Sequence, residues 1–164
     1  MKNHRYRIVL LLLLCPIVMS AQSSEEVTVA EAVKLLFTGM YKGDSSMVRS
    51  AFTKEVTMAT VYRNKEGNQE IRREYSINDF VKSIGKPHPE PYAEEIWNLK
   101  IQIDGDFAQA WCDYAFFIGN KFSHCGVDAF QLHKSTGGWK IFHLADTRRK
   151  DNCIIPEEIQ KKHN

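Results

Sequence analysis

Between Val27 and Met40, apolar residues recur at Val29, Val33, Leu36, Phe37 and Met40, a spacing that predicts one buried face of a helix. Gly43 follows as a stop, and Asp44 is placed to cap a second, short helix running to about Ala51. From Val56 to Arg63 the pattern alternates and is rich in β-formers; Asn64–Asn68 reads as a turn and Gln69–Tyr75 as the returning strand. Ser76 and Asn78 are cap candidates for a helix through Ile84, ended by Gly85 and Pro87, and His88-Pro89-Glu90-Pro91 is a rigid connector.

The second half alternates throughout. Glu95–Ile103, Phe107–Ile118, Phe122–Lys134 and Trp139–Arg148 read as four strands joined by turns at Asp104-Gly105, Gly119–Lys121 and Ser135–Gly138. Helices first and an antiparallel meander afterwards predict an α+β fold, with N-terminal helices packed on an antiparallel sheet.

Closing those turns sets a register. Trp97 is expected opposite Cys112, Leu99 opposite Ala110, Tyr114 opposite Gly126, Cys112 opposite Asp128, Phe130 opposite His143, and Leu132 opposite Ile141. One sheet face then holds Trp97, Leu99, Ile101, Cys112, Tyr114, Phe116, Phe130, Leu132, Trp139 and Ile141. The same face holds Glu95, His124, Asp128 and His143, four ionisable groups that need partners or a wet cavity. Small residues at Ala108, Ala110, Gly126 and Ala145 leave room for one. The expected ligand-lining residues are Trp97, Cys112, Tyr114, Phe116, His124, Phe130 and Trp139. The other face, with Trp111, Val127, Ala129, Phe142 and Leu144 among polar residues, is apolar enough to expect a homodimer through it.

Composition narrows the functional classes. The chain has 164 residues, 43% of them hydrophobic, which suits one globular domain. Met1–Ala21 reads as a secretory signal: Lys2, Arg5 and Arg7, then the apolar run Ile8–Leu14, then small residues before a polar stretch. Cleavage near Ala21–Gln22 leaves residues 22–164 as a single domain, periplasmic or secreted. Cys15 follows Leu14 rather than a small residue, which disfavours a lipid anchor. Three of the 22 basic residues lie in that leader, so 19 face 20 acidic residues in the domain. With no dense Lys/Arg block, a nucleic-acid partner is not expected.

Cys112, Cys125 and Cys153 match no zinc spacing, so no metal is expected. Cys125 and Cys153 both fall near one rim of the sheet and form the expected disulfide, with Cys112 a buried thiol. There is no nucleophile-elbow motif and no glycine-rich phosphate loop, and no cofactor is expected.

The runs Ala110–Phe116, His124–Leu132, Gly138–Ile141 and Asp146–Arg149 resemble the nuclear-transport-factor-two-like cone-fold superfamily, from about Val27 to Cys153. More narrowly they resemble its small exported "putative lumazine-binding" branch, with polyketide-cyclase-like relatives. The resemblance implies an α+β fold in which N-terminal helices pack on a strongly bent antiparallel sheet forming a cone-shaped pocket, in a superfamily that hosts enzymes and non-enzymes alike.

Three functions stay open. One is an exported protein binding a small apolar or aromatic molecule. Another is a cofactor-free lyase or isomerase, in which Asp128 orients His143 as a general base and Tyr114 holds or protonates a carbonyl oxygen. The third is a dimeric interaction module with a vestigial pocket. Asp146 and Arg148 share a face and are expected as a structural ion pair.

Overall fold

The computed structural model describes residues 24–164. The expected signal sequence, Met1–Ala21, lies outside these residues. Helix α1 (Ser24–Lys42) buries Val29, Val33, Leu36, Phe37 and Met40, the stripe its sequence spacing predicts. Gly43 ends it at φ +65, a conformation that costs a residue without Cβ little. The side chain of Asp44 accepts from the Met47 N–H at 2.9 Å and caps α2 (Ser45–Ser50). Strands β1 (Phe52–Arg63) and β2 (Gln69–Glu74) form a hairpin, followed by α3 (Asn78–Ile84).

The remaining strands are β3 (Tyr92–Asp104), β4 (Phe107–Ile118), β5 (Lys121–Ser135) and β6 (Gly138–Arg148); α4 (Glu157–Lys162) closes the chain. The six strands form one curled, unclosed sheet in the order β2-β1-β6-β5-β4-β3. Every neighbouring pair is antiparallel except β1 and β6, which run parallel. The main core lies between α1 and the sheet's concave face. Phe130, Leu132 and Ile141 are almost wholly buried there, and Phe37 meets Phe130 edge-on at 6.1 Å.

A second, smaller core covers the convex face at one end. Ala93, Ala115, Phe117 and Cys125 pack there with Ile159 of α4. Cys125 and Cys153 are disulfide-bonded, tying the segment before α4 to β5. His163 stacks on Phe117 at 3.9 Å, and Lys162 and His163 both reach the Glu95 carboxylate.

Four register shifts interrupt the sheet among the described residues, and two of them, in β3 and β6, change which of the expected site residues face inward. In β3 the register shifts between Trp97 and Lys100, where Asn98 stands at φ 53. Trp97 therefore opposes Asp113, not Cys112, and packs into the convex-face core; Glu95 turns outward with it and Glu94 turns inward. In β6 the register shifts between Gln131 and Leu132 on the β5 side, leaving Phe142 as the extra residue. Phe130 therefore opposes Leu144 instead of His143, and Leu144 joins the concave face. His143 lies opposite Gln131 and hydrogen-bonds Thr57 on the convex side, at 2.7 Å from Nδ1 to Oγ1. An odd insertion inverts every alternation beyond it, which is why one bulge moves a whole strand end. The β3–β4 turn also sits one residue later than expected, at Gly105-Asp106, so that Ile101 faces Ala110; this slip keeps the faces unchanged.

Candidate functional site

The concave face is filled by α1 over only part of its area. Under α3 and the β1–β2 hairpin it stands open as a hollow of about 440 Å³, within the range of small-molecule sites. Leu36, Phe37, Met40, Phe80 and Ile84 form its helical wall. Met58, Tyr92, Phe116 and Leu144 give the sheet side its apolar lining, and Glu94, Asp128, Asp146, Arg148 and His124 its ionisable groups.

Strand alternation places these groups. Asp128 on β5 opposes Asp146 on β6 and Cys112 on β4, so all three point to the concave side. Tyr114 opposes Gly126, where an added Cβ would come within 2.8 Å of the tyrosine ring and 1.8 Å of the Thr147 carbonyl oxygen. The glycine thus lets the ring pass over β5. The Tyr114 hydroxyl donates to the Thr147 carbonyl at 2.9 Å and lies 3.3 Å from Asp146.

Asp146 is fully partnered. It accepts from Thr60 Oγ1 at 2.7 Å and from Arg148 Nε at 2.6 Å, the ion pair its sequence position predicts. Asp128 is not. It is 3% exposed, and its Oδ2 finds no donor among the described residues. The Glu94 carboxyl faces it closely enough to share a hydrogen bond, which requires a proton on one of the two acids.

Burial pushes Asp128 well above the ordinary aspartate range, and the Glu94 charge pushes it further. Burial raises Glu94 to about 7, against the opposing hydrogen bond from Asp128. Although Glu94 keeps an edge on the hollow, protein closes round its other sides, and the upward direction follows from both acids' surroundings. Both acids therefore hold on to protons at pH values where free carboxylates have lost them. Burial lowers His124 to about 4, with the Arg148 charge adding to it, so its imidazole is neutral at pH 7.

The remaining expected residues divide cleanly. Tyr114, Phe116, His124 and Asp128 do meet at the hollow. Cys112, Phe130 and Trp139 are core residues: the Cys112 thiol is pushed far up by burial, Phe130 packs on Phe37, and the Trp139 indole donates to Glu25 at 3.1 Å. Trp97 and His143 lie on the other face. A His143–Asp128–Tyr114 constellation is therefore not formed, and the Tyr114 proton is already committed to a backbone carbonyl. Glu94, Asp146, Arg148 and Thr60 are the polar site groups that simple alternation missed or assigned only to structure. Among the described residues, no cluster of three or more His, Cys, Asp or Glu is placed to hold a metal ion.

A family model described as "Putative lumazine-binding" matches residues 24–143, most of the chain. The protein belongs to this putative lumazine-binding family. Its fold is shared with solved members of the NTF2-like superfamily. A Shewanella baltica NTF2-like protein of unknown function is 22% identical, with a TM-score of 0.58 over 77% of this chain and 95% of that one. A Novosphingobium aromaticivorans NTF2-like protein with a cystatin-like fold is 13% identical, at 0.62 over 79% and 84%. A "putative dehydratase from the NTF2-like family" of Streptomyces avermitilis is also 13% identical, at 0.59 over 76% and 95%. At these identities the likeness is one of fold. No curated protein matches the chain.

Proposed function

We propose that this lumazine-binding-family protein binds a small, largely apolar or aromatic molecule inside the cone, with one polar group directed at the Glu94–Asp128 pair. The observation that carries this reading is the unpartnered Asp128 Oδ2 beside an apolar-walled hollow of about 440 Å³. A buried carboxyl oxygen without a partner is costly, and a polar group of the ligand, donating or accepting according to which acid holds the proton, would relieve it. The family description supports small-molecule binding in general. The Cys125–Cys153 disulfide supports function in an exported, oxidising setting. The exposed Phe107 and Trp111, at 40% and 52%, support a second copy of the chain on the convex face.

A lyase or isomerase is the second reading. It rests on the same carboxyl pair, with Glu94 at about 7 suited to both giving and taking a proton. In this reading Glu94 replaces His143 as the acid–base group.

N-phenyl-1-naphthylamine, a neutral aromatic amine that fluoresces in apolar surroundings, tests the first reading. The expected result is saturable one-to-one binding, weakened at least tenfold by Ser83→Trp at the exposed lip of the hollow. Failure to bind, or binding indifferent to Ser83→Trp, would overturn it. Conversion of a bound ligand that disappears in Glu94→Gln would favour the second reading.

A further inference from the structure

A second concavity, of about 690 Å³, opens directly off the mouth of the cone. It lies between the β1–β2 hairpin and the segment following β6. The two spaces share Thr60, Arg72, His124 and Arg148, so a single molecule can occupy both. Their electrostatics differ. The annex is lined by Arg63, Lys65, Arg72, Arg148, Arg149 and Lys150, with Asp151 the one acidic lining residue among the described residues. Arg72 is paired with Glu74 and Arg148 with Asp146. Once those pairs, Asp151 and the Glu70 carboxylate held by Tyr62 and Asn64 of the lining are set against the six cations, two positive charges remain in excess. The domain around them carries no such excess, with 19 basic residues of the chain's 22 against 20 acidic outside the leader. The concentration of positive charge at this rim is local, and a concave wall focuses its field.

We propose that the ligand of this protein is an amphiphilic anion: an apolar or aromatic body in the cone and a carboxylate, sulfonate or phosphate group in the basic annex. This rests on the cone-binding reading and names the chemical class that fits it. Arg63 already donates to the Gly67 carbonyl at 2.8 Å, which holds its guanidinium at the annex wall. Arg149 is anchored through its backbone, which pairs with Cys125 in both directions. Its side chain is thereby presented at the annex from a fixed strand end. Neutral His124 stands at the junction, where it can hydrogen-bond a passing polar atom without adding charge. The cone interior does not compete as a cation trap. Asp146 is satisfied by Thr60 and Arg148, and the Glu94–Asp128 pair shares a proton. An acid group therefore gains most at the rim, and a neutral polar group gains most at the floor.

The test compares two probes with one aromatic body: N-phenyl-1-naphthylamine and its sulfonate, 8-anilinonaphthalene-1-sulfonate. The sulfonate is expected to bind about tenfold more tightly at low salt, with the advantage shrinking as salt rises. The two probes are expected to displace one another. The Arg149→Gln/Lys150→Gln double variant should lose five- to tenfold for the sulfonate and nothing for the amine. Lys54→Gln, remote from the annex, should change neither. Unaltered sulfonate affinity in the double variant, or equal losses for both probes, would overturn the proposal. If the amine binds as expected and the sulfonate shows no charge advantage, the annex proposal alone falls. If the sulfonate binds in a charge-dependent way but is neither displaced by the amine nor weakened by Ser83→Trp, the single bridging ligand falls; the cone-binding reading falls only if the amine fails to bind or binds indifferently to Ser83→Trp.

Discussion

Asp128 and Phe130 sit two residues apart on β5, both pointing to the concave face and both almost completely buried, at 3% and 1% exposure. Their circumstances are nonetheless opposite. Phe130 lies under α1, in edge-on contact with Phe37 and within the main core. Asp128 lies just beyond that cover, against a hollow and a second acid. The sheet is continuous across both, so the difference comes from what stands over it. Where α1 fills the concavity, burial means close packing and stability. Where α3 and the hairpin stand off, burial means desolvation without contact, and ionisable groups are driven from their ordinary behaviour. A fold of this kind can thus separate its stability from its chemistry along a single strand.

The largest effect should come from emptying the packed half. Phe130→Ala is expected to cost about 3–5 kcal/mol of unfolding free energy, since the ring is enclosed on all sides. Denaturant unfolding would measure it, and a loss below about 1 kcal/mol would mean that α1 does not close over β5 as described.

The hollow half should respond in the opposite direction. Glu94 and Asp128 retain protons in the folded chain that they release when unfolded. Stability contributed by that retention is present at low pH and is lost as pH rises from about 4.5 to about 7, the Glu94 window. Asp128→Asn removes one charge and supplies an amide donor to Glu94. The variant should be more stable than the parent at pH 8, by on the order of 1 kcal/mol, with a flatter pH dependence. His124 contributes a slope of the other sign: its depressed value withholds a proton that the unfolded chain takes up, so stability falls as pH drops from about 6.5 to about 4. Thermal melts across pH 4–8 resolve the two. A parent-like slope in Asp128→Asn would show that the acids do not share a proton.

The first three helices, the strand order of the meander and the central β4–β5 register were legible because apolar spacing and turn chemistry agree there, whereas the short α4 went unread. Tyr114–Gly126 and Cys112–Asp128 pair as alternation requires. The disulfide was legible for the same reason, since the β5–β6 rim brings Cys125 near the chain after Arg149. The site was half legible. Tyr114, Phe116, His124 and Asp128 come from the two strands or strand ends where alternation is unbroken. Glu94, Leu144 and the exclusion of Trp97 and His143 depend on two bulges. Both leave a trace: the buried apolar series steps by three from Ile96 to Leu99 and from Ile141 to Leu144, where a regular strand steps by two. In each case an aromatic residue inside the step, Trp97 or Phe142, concealed it by continuing the apparent alternation. Asn98 at positive φ is a further signal, as asparagine tolerates that conformation better than most residues.

The smallest predicted effect decides whether those bulges are right. His143 is partly exposed on the convex face, and it hydrogen-bonds there to the side chain of Thr57, itself an exposed residue. A hydrogen bond at such a position contributes little, so His143→Ala should change stability by no more than about 1 kcal/mol. It should leave the affinity for N-phenyl-1-naphthylamine unchanged. Its neighbour Leu144 faces the hollow, so Leu144→Ala should alter that affinity by severalfold even where stability is corrected for. The pair of substitutions differs by one position in sequence and by the full thickness of the sheet in space. If His143→Ala weakened probe binding while Leu144→Ala did not, Phe142 would not be the extra residue of β6. Asp128 and His143 would then share a face, and the acid–base role would pass from Glu94 back to the imidazole.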